Sequence, residues 1–250
     1  MCFKKEIINW EHAQKVAILF GKNNYPSPNE LSFCVNDVDL IKSKVSFFGV
    51  QARRFTDYEV TRKNFRNQLT YAFTNAVAGD TIFIGYSGHG SYVKDQNSDE
   101  IDGFDETLYM DGHFTDDETA ELCRLIPAGV TVIFFLDCCY SGTSTRTFSK
   151  ARFMPPKKKY PLHKRVKRGH RGDLPYIVFS ACKENETSEE AIINGQGNGV
   201  FTYWAMTTLD PNLTYRKWYE KIRIYLPSKT FEQTPLLEGN DQLLDKLIFT

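Results

Sequence analysis

The chain has 250 residues, 41% of them hydrophobic, and its 31 Lys/Arg balance 31 Asp/Glu. That length and apolar content suffice for one full hydrophobic core, so a single globular domain over 1–250 is expected, with disorder confined to local stretches. No apolar run reaches the roughly eighteen residues a membrane helix needs, and Met1 to Glu6 contain no stretch of signal-peptide length, so a soluble, cytoplasmic protein without membrane contact is expected. Cys2, Cys34, Cys123, Cys138, Cys139 and Cys182 lack the dense spacing of a disulfide scaffold. Reduced thiols, one of them reactive, are the default.

In chain order, Lys15 to Gly21 is a short apolar run ending at glycine, the pattern of a strand buried on both faces. Helical spacing follows at 35–48, then again at 61–77, where Thr61 offers an N-cap. Asp80 to Tyr86 repeats the buried-strand pattern, 116–126 is helical, Val130 to Leu136 and Pro175 to Ser180 are strands, and 200–209 is a helix. Such alternation predicts an α/β domain with a mainly parallel central sheet and helices on both faces, binding its ligand beyond the carboxyl ends of the strands. One segment departs from the pattern. From Arg146 to Arg171 there are eleven Lys/Arg and no acidic residue, leaving the remainder net acidic by eleven. The stretch 144–172 has no consistent period and reads as an exposed loop between a first part, 1–143, and a last part, 173–250.

Two strand ends carry chemistry. The strand over 80–86 runs into Tyr86-Ser87-Gly88-His89-Gly90, leaving an imidazole between two glycines. The strand over 130–136 runs into Asp137-Cys138-Cys139-Tyr140-Ser141-Gly142. If these strands are neighbours, a thiol and an imidazole meet at the functional edge of the sheet, the imidazole able to take the thiol proton and return it to a leaving amine. Taken singly, a buried Cys is usually a small hydrophobe and a His usually structural. Together, at strand ends fifty residues apart, they point to nucleophile and base.

These motifs resemble those of the metacaspases within the caspase-like cysteine peptidases. Leu31 to Val38, Asp99 to Leu108, Thr115 to Glu118, Phe179 to Cys182, Gly199 to Thr202 and Gln233 to Gly239 also match in order, over about 14–249. The resemblance implies a caspase-like sandwich and an endopeptidase with Cys139 as nucleophile and His89 as its partner. Backbone N–H groups of Gly90 and Cys139 would stabilise the oxyanion. Tyr140 stands where metacaspases commonly have His. The residues matching the family's S1 pocket, which holds the P1 side chain just before the cut, are Asp37, Ser87 and Asp137. A carboxylate pair there favours Arg or Lys in a protein or peptide substrate and rejects Asp. The bland alternative is that Asp37 caps a helix and Asp137 merely ends a strand.

Ten of the twenty-four residues from Asp95 to Glu118 are acidic, a hard-oxygen composition that suits Ca²⁺ as well as a solvated loop. The resemblance assigns calcium to Asp105, Asp116 and Asp117, but the further acidic ligand expected after the nucleophile falls near Arg146, which cannot coordinate. No organic cofactor is implied. The basic loop reads as a solvated linker, a nucleic-acid contact, which is disfavoured for want of interleaved aromatics, or a self-cleavage segment. In the last case Lys157, Lys158, Lys159, Lys164, Arg165, Lys167 and Arg168 are the candidate sites of an enzyme made as a zymogen. A monomer is expected. The competing functions are a catalytically silent caspase-like scaffold and a calcium-responsive interaction module.

Overall fold

The computed structural model describes residues 14–95, 103–140, 150–156, 174–183 and 186–250. In chain order the elements are β1 (Lys15–Gly21), α1 (Cys34–Ser46), β2 (Gln51–Thr56), α2 (Arg62–Asn75), β3 (Thr81–Ser87), β4 (His89–Lys94), β5 (Phe104–Tyr109), β6 (His113–Thr115), α3 (Asp116–Cys123) and β7 (Thr131–Asp137). They continue with β8 (Lys150–Ala151), β9 (Ile177–Ser180), β10 (Glu189–Ile193), β11 (Gln196–Gly199), α4 (Val200–Thr208), α5 (Tyr215–Tyr225), β12 (Leu236–Glu238) and α6 (Asp241–Leu244).

The central sheet has the order β12-β9-β7-β3-β1-β2, parallel throughout except for β12. Its inner strands are apolar on both faces because both faces are covered. Val16, Ile18 and Phe20 of β1, with Ile82, Ile84, Val132 and Phe134, pack against Phe65, Leu69 and Phe73 of α2 and Leu122 of α3. The alternate residues Ala17, Leu19, Phe83, Ile133, Phe135, Ile177 and Phe179 meet α1, α4 and α5 through Val38, Ile41, Phe201, Ala205, Trp218 and Ile222. Phe135 is stacked with Phe201 at 4.6 Å and with Trp218 at 6.0 Å. Such a two-sided core makes β3 and β7 rigid mounts for whatever their ends carry.

The four strands and four helices expected from sequence are present, and Thr61 caps α2 by accepting from the Asn64 N–H at 3.1 Å. Two small sheets, β4-β5-β6 and β11-β10-β8, flank the carboxyl edge of the central one. One expectation is corrected. Within the basic segment, the described residues 150–154 are not an exposed loop: Lys150–Ala151 pairs antiparallel with β10, Arg152 is wholly buried and Met154 nearly so. The reason is electrostatic, since Arg152 has carboxylates to reach inside the protein.

Candidate active site

β3 and β7 are hydrogen-bonded neighbours whose register sets Ser87 opposite Asp137. His89 and Cys139 each lie two residues beyond that pair, and both are buried. Their common neighbour is Arg152. Its carbonyl oxygen accepts from the backbone N–H of Gly90 at 3.0 Å and from that of Cys139 at 3.2 Å. The approach demands glycine at position 90, because a Cβ there would lie 2.3 Å from the Cys139 carbonyl oxygen.

A tyrosine scaffold orients His89. Its backbone N–H donates to the Tyr25 hydroxyl at 2.9 Å, its carbonyl accepts from the Tyr86 hydroxyl at 2.8 Å, and its ring lies 4.3 Å from that of Tyr25. Nε2 donates to the Asn29 carbonyl at 2.7 Å, which fixes the tautomer and leaves the lone pair on Nδ1. Among the described residues Nδ1 has no hydrogen-bond partner; it is buried beside the Arg152 backbone. Burial lowers the His89 pKa to about 4 and pushes the Cys139 thiol up to about 12. Both groups therefore rest neutral.

Beyond the carbonyl, the Arg152 side chain fills an acidic cage. Nη2 lies 2.6 Å from Asp37 Oδ2 and Nη1 3.1 Å from Asp137 Oδ1, while Nη1 donates to Ser87 Oγ at 2.8 Å. Glu190 Oε2 stands 3.8 Å from Nη2. The carboxylates are themselves held. Asp37 accepts from Ser87 Oγ, Asn198 Nδ2 and the Gly199 N–H, and Asp137 from Ser188 Oγ and from the Thr202 backbone and hydroxyl. Burial raises the Asp37 pKa against the pull of Arg152. Burial also opposes the charge on Arg152, but attraction by Asp137 and the other neighbouring groups prevails and raises its pKa. Asp37 does not cap α1, whose N-cap is Phe33 with no side-chain cap; Asp137 does end β7, and its carboxylate, like that of Asp37, points into the cage.

Sequence reasoning missed Arg152, Glu190, Ser188, Asn198, Gly199, Tyr25 and Asn29. For Arg152 the signal was composite, a cation flanked by Ala151 and by Phe153-Met154 within an otherwise polar, basic stretch. Asp105 is buried on β5, and Asp116 and Asp117 open α3. Among the described residues no three His, Cys, Asp or Glu side chains are grouped to share an ion. Lys157 to Arg168, the candidate processing sites, lie outside the described residues. Among the described residues no helix is long and apolar enough to cross a membrane.

A parallel sheet carrying a thiol and an imidazole on adjacent strand ends, around one peptide carbonyl, defines a caspase-like cysteine peptidase. The family profile described as Caspase domain matches residues 14–246, and the chain belongs to that family. Within it the chain is similar to metacaspases: it is 26% identical over 291 aligned positions to Metacaspase-1 of Schizosaccharomyces pombe, covering 92% of this chain and 68% of that protein. Metacaspase-1 of Arabidopsis thaliana is 34% identical over 148 positions, covering 53% of this chain and 40% of the relative. Among solved structures, protein GSU0716 from Geobacter sulfurreducens aligns with TM-score 0.72 and 26% identity over 94% of this chain and 98% of that one. Caspase-1 from Spodoptera frugiperda shares the fold, with TM-score 0.60 and 14% identity over 94% of this chain and 88% of that one.

Proposed function

We propose that this peptidase cuts protein substrates after Arg or Lys, with Cys139 as nucleophile and His89 as proton carrier, and that one of its substrates is its own Arg152-Phe153 bond. The observation that carries the reading is Arg152 itself. Its guanidinium lies among Asp37, Asp137 and Glu190 while its carbonyl oxygen accepts from two backbone N–H groups beside the thiol. An aspartate in the same cage would add a further buried anion with nothing to neutralise it.

The chemistry follows from these atoms. As the Cys139 sulfur bonds to the carbonyl carbon, its proton passes to His89 Nδ1, and the oxygen takes up the electron pair of the C=O π bond between the Gly90 and Cys139 N–H donors. Two such donors lower the barrier by several kcal/mol. The tetrahedral intermediate then collapses, the C–N bond breaks, and Nδ1 gives its proton to the departing amine. Water, losing its proton to His89, hydrolyses the thioester and returns the thiol. Because the enclosed thiol is pushed up to about 12 and the imidazole down to about 4, proton transfer accompanies attack rather than preceding it.

Hydrolysis of fluorogenic peptides ending in Arg, Lys or Asp by wild type and Cys139→Ala tests the reading. Arg/Lys cleavage absent from the variant supports it, and cleavage after Asp overturns the pocket assignment. Self-processing predicts fragments 1–152 and 153–250, the second beginning at Phe153, with Cys139→Ala intact. A wild type that is active while whole removes self-processing from the proposal. Stimulation by calcium through Asp105, Asp116 and Asp117 remains part of it, and equal rates in EGTA and added Ca²⁺ would remove the ion. So does a monomeric state, which light scattering checks. The occupied cleft is what favours a catalytically silent scaffold; no cleavage under any calcium or pH condition would decide for that reading.

A further inference from the structure

The segment that fills the acidic cage continues past the carbonyl, and its next two residues are also held. β4 is an edge strand of its small sheet, with β5 on one side. On its other side the chain adds itself as a short strand: Phe153 bridges Gly90 in parallel, the Met154 N–H donates to the Gly90 carbonyl at 2.8 Å, and Ser91 Oγ donates to the Met154 carbonyl at 2.7 Å. Side chains alternate across an extended strand, so the two residues reach different surroundings. The Phe153 ring stacks on Tyr92 with centroids 6.0 Å apart and planes 21° from parallel. Met154 is 8% exposed and sits in an apolar pocket formed by Tyr25, Leu31, Cys34 and Tyr109.

We infer that the peptidase also reads its substrates after the cut, with Tyr92 as a seat for an aromatic side chain at the first leaving position, P1′, and the pocket of Tyr25, Leu31 and Tyr109 as a seat for a long apolar side chain at the second, P2′. This rests on the peptidase reading and extends it. The P1 cage supplies charge, and the β4 edge supplies backbone bonds to any extended peptide. Aromatic stacking and burial of a thioether-sized side chain add what a Gly-Gly sequence cannot provide. Tyr25 belongs to both sites, lining the P2′ pocket and bonding the His89 backbone, so occupancy of the pocket bears on the imidazole's support.

The test uses internally quenched peptides identical through a P1 arginine and followed by Phe-Met, Phe-Gly, Gly-Met or Gly-Gly, with an Arg-aminocoumarin substrate in parallel, assayed on wild type and on Arg152→Ala. The expected kcat/KM for Phe-Met exceeds that for Gly-Gly by about tenfold or more, each position contributing. Tyr92→Ala should collapse the Phe-over-Gly ratio at P1′, and Tyr92→Phe should keep it. Aminocoumarin hydrolysis with all four peptides cut alike overturns this inference and leaves the peptidase reading standing. No hydrolysis of any substrate overturns both.

Discussion

Replacing Arg152 by alanine removes the sole cation that the described structure places among Asp37, Asp137 and Glu190, all three buried. Deleting one partner of a buried charge pair costs about 3–5 kcal/mol, because the remaining charge stays desolvated. Here the protein can escape that cost by letting the 150–154 strap leave and admitting water, so the loss appears as strap opening. At about 1.4 kcal/mol per decade, the open fraction rises by about two to three and a half orders of magnitude. A ligand whose site is open only a fraction of the time binds more weakly by that fraction. The backgrounds to compare are Cys139→Ala and Cys139→Ala/Arg152→Ala, neither able to cut, with a labelled peptide ending in arginine followed by anisotropy. The double variant should bind at least about a hundredfold more tightly. Equal affinities would show that Arg152 does not compete for the cage, and the account of a self-occupied site would fail.

Gly199 lies against the same cage, where a Cβ would fall 2.2 Å from Asp137 Oδ2 and 2.6 Å from Arg152 Nη1. Gly199→Ala should keep the fold, measured by circular dichroism, while kcat/KM on arginine peptides falls at least about a hundredfold; near-normal turnover would displace the cage from the site. His89 has its pKa lowered from 6.5 to about 4 by burial, so between those values the unfolded chain takes up a proton that the folded one refuses. The contribution to stability is therefore intact above about 6.5 and is lost as pH falls, approaching about 3 kcal/mol near pH 4. Denaturant unfolding of Cys139→Ala across this range should show the loss, and adding His89→Gln should flatten it; an unchanged slope in the double variant would refute the assignment.

The sequence reveals elements wherever burial is symmetrical. β1, β3, β7 and β9 read as continuous apolar runs because helices cover both faces. β2 did not, since Gln51-Ala-Arg-Arg-Phe-Thr is an edge strand with one residue in the core. α5 was readable but overlooked: Tyr215, Trp218 and Ile222 recur at helical spacing, and Thr214 is its N-cap. β10 and β11 were hard to read because Glu189-Glu190 and Gln196-Gly197-Asn198-Gly199 turn polar groups toward the cage, while Ala191 and Ile193 of β10 pack on the core. His89 and Cys139 were legible because their chemistry is concentrated in short motifs at strand ends. Arg152 was not, being one of eleven similar cations whose selection is made by tertiary register.

The geometry of the cage also separates arginine from lysine. Its two principal carboxylates are reached by different prongs of one guanidinium, Asp37 by Nη2 and Asp137 by Nη1, and Ser87 Oγ closes the fork on Nη1. A lysine brings one compact ammonium on an unbranched stem, so it can approach one carboxylate closely while the other keeps a longer, weaker contact. Charge alone admits both residues, but the two-pronged contact belongs to arginine. One charge-assisted hydrogen bond contributes about 1.5–3 kcal/mol, so kcat/KM for an arginine peptide should exceed that for its lysine twin by about tenfold to a hundredfold. Matched fluorogenic peptides measure the ratio directly. A value at or below one would mean that substrates do not adopt the pose of Arg152, and the cage would then have to be read as a lock for the strap rather than as the mould for P1.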